Sequence, residues 1–186
     1  SGVQTINRYA FSGCKALTEL ELGSAVQSIG DYAFSDCSGL KTIDFSVSTQ
    51  TIGSFAFQNC TSLPSVNIPS NVHTIGEGAF VGCSALRTLI LNEGLQTIKG
   101  RAFMGCPIVS LTIPDSVTTI VSYYYQYAND PYQGAFENCK NLTEIKIGDG
   151  LTYIDSETFY GCTALKSVTI GESVATINSH AFAGCS

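Results

Sequence analysis

Eight cysteines recur along the chain at a nearly constant interval, and this period constrains the fold more than any other feature. Neighbouring cysteines differ in sequence number by 23 in six of seven cases, and by 33 in the other. A fixed period of this size is typical of solenoids, in which short units stack on one another and share a core. The cysteines are Cys14, Cys37, Cys60, Cys83, Cys106, Cys139, Cys162 and Cys185.

Apolar residues keep the same register around each cysteine. An isoleucine lies eight positions upstream in most units, Ala-Phe usually begins four positions upstream, and an LxxLxL pattern follows. The end of that pattern alternates apolar and polar residues, which predicts a half-buried strand. The stretch IGxxAFxxC predicts a turn with one or two helical turns. The expected strands cover residues 19–22, 42–45, 65–68, 88–91, 110–113, 144–147 and 167–170.

Stacked units of this kind predict a single solenoid domain over residues 1–186, with about eight repeats. We expect an α/β-type repeat solenoid with 23-residue repeats, a parallel sheet on one face and, from the rule for parallel crossovers, a right-handed path. The long interval predicts an insertion at 121–131. The last repeat stops before its strand and neither end shows a polar cap, so we expect a fragment of a longer protein.

The repeated pattern resembles one known family. The clearest unit runs from Ser65 to Cys83 and reads SVNIPSNVHTIGEGAFVGC. It is similar to the leucine-rich repeat of the BspA or Treponema pallidum type, and the resemblance covers essentially the whole chain outside 121–131. It implies a leucine-rich repeat superhelix, an extracellular or cell-surface location and a role in adhesion and protein binding, with no catalytic residue to transfer. One departure is that only Asn71 matches the Asn or Cys that usually follows LxL.

The cysteines could act as nucleophiles, metal ligands, disulfides or core side chains. A catalytic cysteine needs a base and an exposed, electropositive setting, and the chain has only His73 and His180. The sequence contains no CxxC or HxxxH pair, so it predicts no metal site. Stacked repeats would leave Cβ atoms about 4.8 Å apart, beyond the ~3.5–4.5 Å of a disulfide. We therefore expect a ladder of eight free, buried thiols that act as small hydrophobic side chains, without metal or cofactor.

The insertion is rich in tyrosine, which predicts a binding loop. Insertions in solenoids map to one face, and tyrosine offers a large amphipathic contact area at low entropic cost. The alternative is that the rings fold back on neighbouring repeats and only cover the bulge. The candidate binding residues are Tyr123, Tyr124, Tyr125, Tyr127 and Tyr132.

The outward positions of the strands form a second candidate surface, because solenoids commonly bind partners on their sheet. Most of these positions hold small polar residues, so a merely solvated face is the alternative. The charged candidates are Glu19, Glu21, Asp44, Arg87 and Lys146.

Composition narrows the possible partners. The net charge is −6 and the pI is about 4.7, so the basic surface needed for nucleic acid is missing. The sequence contains no run of 18 apolar residues, so we expect no membrane insertion of this fragment. The sequence therefore predicts a non-catalytic binding or adhesion module that recognises a protein or other macromolecular surface ligand. The alternative is a set of structural spacer repeats that display another domain and bind nothing.

Overall fold

The computed structural model describes residues 2–124 and 132–185, and these wind into a parallel-strand β-solenoid. One set of strands follows each cysteine, and all seven strands predicted from LxxLxL are present to within one residue at each end. These strands are β2 (Glu19–Glu21), β4 (Thr42–Asp44), β6 (Ser65–Ile68), β8 (Thr88–Leu91), β10 (Ser110–Ile113), β14 (Glu144–Ile147) and β16 (Ser167–Thr169).

A second set of strands contains only two residues per turn. Six of them form one parallel sheet, and each of these six consists of a Thr or Ser followed by a buried Ile. The sequence signal was the isoleucine eight positions before most of the cysteines, which is too short a pattern to predict a strand by alternation. These strands are β1 (Thr5–Ile6), β3 (Ser28–Ile29), β5 (Thr51–Ile52), β7 (Thr74–Ile75), β9 (Thr97–Ile98), β11 (Thr119–Ile120), β15 (Tyr153–Ile154) and β17 (Thr176–Ile177).

The longer strands pair in register within three groups: β2 with β4, β6 with β8, and β10 with β14 and then β16. At the start of a longer strand, a backbone N–H donates to the preceding repeat, as Lys41 does to Thr18 O (2.8 Å) and Arg87 to Pro64 O (3.0 Å). Pro64 occupies the equivalent position before β6 and has no N–H to donate. This hydrogen bond is therefore absent at the boundary between β4 and β6, where the two strands are not paired.

The IGxxAFxxC stretch contains hydrogen-bonded turns, and the described residues form no helix, so the predicted helical turns are wrong. Positive φ angles recur at the fifth and first residues before the cysteine, for example Phe55 (56°) and Asn59 (57°). Left-handed residues interrupt a right-handed helix. N–H groups also donate to the next repeat, as Phe57 does to Ala79 O (2.8 Å). The described part of the chain therefore has no helix that could span a membrane.

A stack of phenylalanine rings forms the centre of the core. Neighbouring rings are stacked nearly parallel, with centroids 5.1 to 5.5 Å apart. The six inner rings are completely buried. Replacing one of them with alanine should cost about 3–5 kcal/mol of folding free energy. The stack runs through Phe11, Phe34, Phe57, Phe80, Phe103, Phe136, Phe159 and Phe182.

All eight cysteines are free, as predicted, but only six are buried. Cys14 is exposed and Cys185 is half-buried, since each belongs to a terminal turn of the structure. The thiols are also more than hydrophobic filler. From the second repeat onward each Sγ–H donates to a phenylalanine carbonyl of the preceding repeat, as Cys83 does to Phe57 O at 3.2 Å and Cys106 to Phe80 O at 3.2 Å. The cysteines thus tie neighbouring turns together.

Candidate functional site

The strand face, the outward side of β2, β4, β6, β8, β10, β14 and β16, holds the charged candidates at exposed positions. Its first two strands are acidic: Glu19 lies beside Thr42, and Glu21 lies beside Asp44. Because these strands pair in parallel, equivalent side chains project from neighbouring strands about 4.8 Å apart. The structure therefore brings Glu21 and Asp44 together, with Glu19 next to them.

The basic candidates lie further along the strand face. Arg87 immediately precedes β8 and is exposed. Lys146 on β14 lies beside Thr112 and forms a 3.4 Å ion pair with Glu144 on its own strand. Asp44 and Lys146 are four strand spacings apart, or about 19 Å. The five charged candidates therefore share one surface but do not form one cluster.

Two apolar side chains are exposed near the middle of the strand face, and the sequence analysis did not single them out. Ile90 on β8 is 48% exposed, and Val109 just before β10 is 42% exposed. The available signal was that Ile90 occupies a column otherwise filled by polar residues, next to Asn67 and Thr112. The centre of the strand face is consequently less polar than its ends.

Two short strands at the two ends of the insertion pair as an antiparallel hairpin. Its strands are β12 (Tyr123–Tyr124) and β13 (Tyr132–Gln133), in which Tyr124 pairs with Tyr132. Tyr125 and Tyr127 lie outside the described residues. The backbone of three candidate tyrosines is therefore brought together at the base of the insertion, and the proposal that their rings bind a partner remains a prediction.

The residue before the hairpin is fastened to the following repeat. The N–H of Ser122 donates to Asp155 Oδ2 (3.0 Å), and its hydroxyl donates to the carbonyl of Ser156. On the other side, an ideal Cβ at Gly134 would lie 1.9 Å from the Glu157 carbonyl oxygen, so only glycine fits there. The hairpin therefore projects from two fixed points on the solenoid.

A column of aromatic rings on the turn side was also missed. Tyr9, Tyr32 and Phe55 stack with centroids 5.0 Å apart. The guanidinium of Arg8 lies 4.8 Å from the Tyr9 ring centroid, and that of Arg101 lies 5.6 Å from the Phe55 centroid. The signal was an aromatic residue five positions before three successive cysteines.

The raised pKa values of the buried thiols disfavour nucleophilic chemistry. Burial raises the pKa of Cys106 and of Cys162 to about 12, and it raises that of Cys83 well above the usual value. A nucleophilic cysteine needs a lowered pKa so that the thiolate forms near neutral pH. Among residues 2–124 and 132–185, no group of three or more His, Cys, Asp or Glu side chains is placed to hold a metal ion.

A model of the BspA type leucine-rich repeat region, in six copies, matches residues 4–131 and 129–186. The chain belongs to the BspA-type leucine-rich repeat family. None of the curated proteins matches it significantly. Solved structures with similar folds come from several bacteria.

A leucine rich cell surface protein from Faecalibacterium prausnitzii is 26% identical with a TM-score of 0.61, over 98% of this chain and 62% of that one. The Treponema pallidum leucine-rich repeat protein is 23% identical with a TM-score of 0.62, over 98% of this chain and 70% of that one. The pneumococcal vaccine antigen PcpA is 21% identical with a TM-score of 0.52, over 90% of this chain and 54% of that one. The chain thus spans only part of the length of each of these proteins, and the likenesses to the Treponema pallidum and pneumococcal proteins show the fold alone.

Most repeats of this BspA-type chain lack the Asn or Cys that usually follows LxL. In three of them a carboxylate one residue earlier in the repeat holds the next turn instead. Glu93 accepts the N–H groups of Asp115 (3.2 Å) and Ser116 (3.0 Å), and Asp115 accepts that of Asp149 (2.9 Å). Asp149 in turn accepts the N–H of Glu172 at 2.6 Å. These carboxylates are occupied in holding the turns, unlike the outward acids of the strand face.

Proposed function

We propose that this chain is a non-catalytic protein-binding or adhesion module of a cell-surface or secreted protein. The observation that carries this proposal is the strand face, where exposed Glu21 and Asp44 at one end, Ile90 in the middle and Lys146 towards the other are displayed on a rigid core. Rigid presentation reduces the entropy lost on binding. The right-handed path predicted above remains part of this proposal.

One relative supports a location outside the cell. The Faecalibacterium prausnitzii protein is described as a cell surface protein. Free thiols stay stable in such a setting when they are buried in the core, as six of the eight are here. The location and the adhesive role of this chain rest on that likeness and on the exposed strand face.

The competing function is a structural spacer, which the small polar residues of the strand face would also suit. Ser65, Thr88 and Ser110 are exposed and offer little contact area. A spacer needs only the stacked core, whereas a binding module also needs the residues at the ends and centre of the strand face. Substitutions at outward positions therefore separate the two functions.

Capture of matrix and bacterial surface proteins by the immobilised chain tests the proposal. The variant carries Asp44→Lys, and the matched control carries Glu172→Lys, which reverses one exposed acid on a turn outside the strand face. We expect the wild type and the control to retain a partner that the variant loses. Capture of no partner by the wild type, or equal capture by all three proteins, would support the spacer or another surface.

A further inference from the structure

The strand face has a centre and two matching halves. It contains seven strands, and β8 is the fourth, with three strands on either side. One column of outward residues runs along the strand face. Glu21–Asp44, Asn67–Ile90 and Thr112–Lys146 pair in register, and the repeat pattern aligns these three groups with one another. Ile90 is the middle member of this column, and its apolar side chain is exposed.

A two-fold axis that runs along β8, between two facing copies, would keep every column in place and reverse the order of strands. Strand β4 of one copy would then face β14 of the other. Asp44 would lie opposite Lys146, since both belong to the same column. The symmetry repeats this opposite-charge contact, as in any isologous interface.

The same operation matches the apolar residues. Ile90 would meet its own copy on the axis. Strand β6 would face β10, which brings Val109 opposite Pro64, because each residue immediately precedes its strand. All three side chains are exposed in the single chain. An apolar centre surrounded by polar and charged residues is the usual arrangement of a specific interface.

Strand β2 would face β16. Glu19 would lie opposite Ser167 and Glu21 opposite Thr169, while Lys166, which precedes β16, would lie one residue along from Glu19. One like-charge contact is the exception: Arg87 precedes β8 and would meet its own copy near the edge of the interface. Removal of Arg87 should therefore strengthen the contact, whereas removal of Asp44 or Lys146 should weaken it.

We propose that the strand face recognises a second copy of this chain, in a two-fold contact with the solenoid axes antiparallel. This inference rests on the proposed function, because both require the strand face to be a recognition surface. Seven strands about 4.8 Å apart and four residues of about 3.3 Å give a face of roughly 30 by 13 Å. That area is below the ~800 Å² per partner of standard interfaces, so the association should be weak.

Sedimentation of the wild type and of charge-reversed variants tests this contact. We expect concentration-dependent association of the wild type up to about 1 mM, the range of a weak interface, with less association at high salt. Asp44→Lys alone and Lys146→Asp alone should each sediment as monomers. Mixing the two variants should restore association, because both contacts in the mixed dimer then pair opposite charges.

Two controls keep the test decisive. Ile90→Asp should abolish association by placing two carboxylates on the axis, and Arg87→Ala should strengthen it. A wild type that stays monomeric at about 1 mM, or a mixture that associates no better than its components, would overturn the inference. A monomeric wild type that still captures another macromolecule would leave the proposed function standing and remove only the second copy as its partner.

Discussion

At the scale of single residues, the cysteine position does two things at once. Its small apolar side chain fills the core beside the phenylalanine stack, and its Sγ–H donates to a carbonyl of the neighbouring turn, as Cys60 does to Phe34 O (3.4 Å). The constant period of the cysteines was enough to predict free, inward thiols. It could not predict the hydrogen bond, because that depends on where the phenylalanine carbonyl points.

Thiol reactivity should divide the cysteines by position. In the native protein, Cys14 should react rapidly with a thiol reagent and Cys185 more slowly, because only these two are accessible. The six buried thiols should react only after unfolding. Mass spectrometry of the labelled peptides would identify the sites, and rapid native labelling of Cys83 or Cys106 would contradict the burial of this column.

Alkaline pH should destabilise the fold through the same thiols. Burial raises the pKa of Cys106 from 9.0 to about 12, so the unfolded state releases this proton before the folded state does. The contribution of this thiol to the free energy of unfolding is fully present below about pH 9 and falls as the pH rises towards 12. Urea unfolding at several pH values would measure this slope. In Cys106→Ala, the loss should be smaller by up to about 1.4 kcal/mol per pH unit, and an unchanged slope would contradict the assignment.

At the scale of elements, the sequence determined the longer strands well and the connecting segments poorly. Alternation located all seven strands, because inward residues such as Val66 and Ile68 are spaced by two. The turns before each cysteine were mistaken for helical turns, since AFxxC has apolar spacing that suits either structure. Left-handed residues such as Tyr32 and Arg101 decide against the helix, and their side chains gave no signal of it.

The sequence predicted an insertion at 121–131, but its attachment to the solenoid was not visible in the sequence. Ser122 and Gly134 are fixed to the solenoid, whereas within the described part of the chain β12 and β13 pair with each other. The long interval between Cys106 and Cys139 showed that about eleven residues were added, and it could not show which of them joined the core. A deletion of residues 121–131 would remove Ser122 and leave Gln133 in its place.

A deletion of residues 123–133 should therefore remove the hairpin with little effect on folding. It joins Ser122 directly to Gly134, places Ile120 eight positions before Cys139 as in the other repeats, and keeps the Ser122–Asp155 contact. We expect the free energy of unfolding to change by less than about 1 kcal/mol, a value that surface changes rarely exceed. Urea denaturation would measure it, with the 121–131 deletion as the comparison. A larger loss in the 123–133 deletion would show that the tyrosines pack against the core.

At the scale of the whole molecule, folding and recognition occupy different columns of the same repeat. Inward Phe, Ile and Cys residues are nearly identical from turn to turn, while outward residues change from Glu21 and Asp44 to Ile90 and Lys146. Nearest-neighbour stacking explains why the inward columns must match. The strand face can vary freely, which is why the sequence could indicate candidate residues but could not identify their partner.

Removal of one complete repeat tests the stacked architecture most directly. Deleting residues 61–83 joins Cys60 to Ser84 and leaves every remaining residue in its column. We expect a folded protein that unfolds cooperatively at a lower temperature, because one stacking interface is lost. Its urea m-value should fall by roughly one eighth, since m scales with the surface exposed on unfolding. A chain that fails to fold after this deletion, while a deletion of about half a repeat, which puts the following columns out of register, folds normally, would contradict the account.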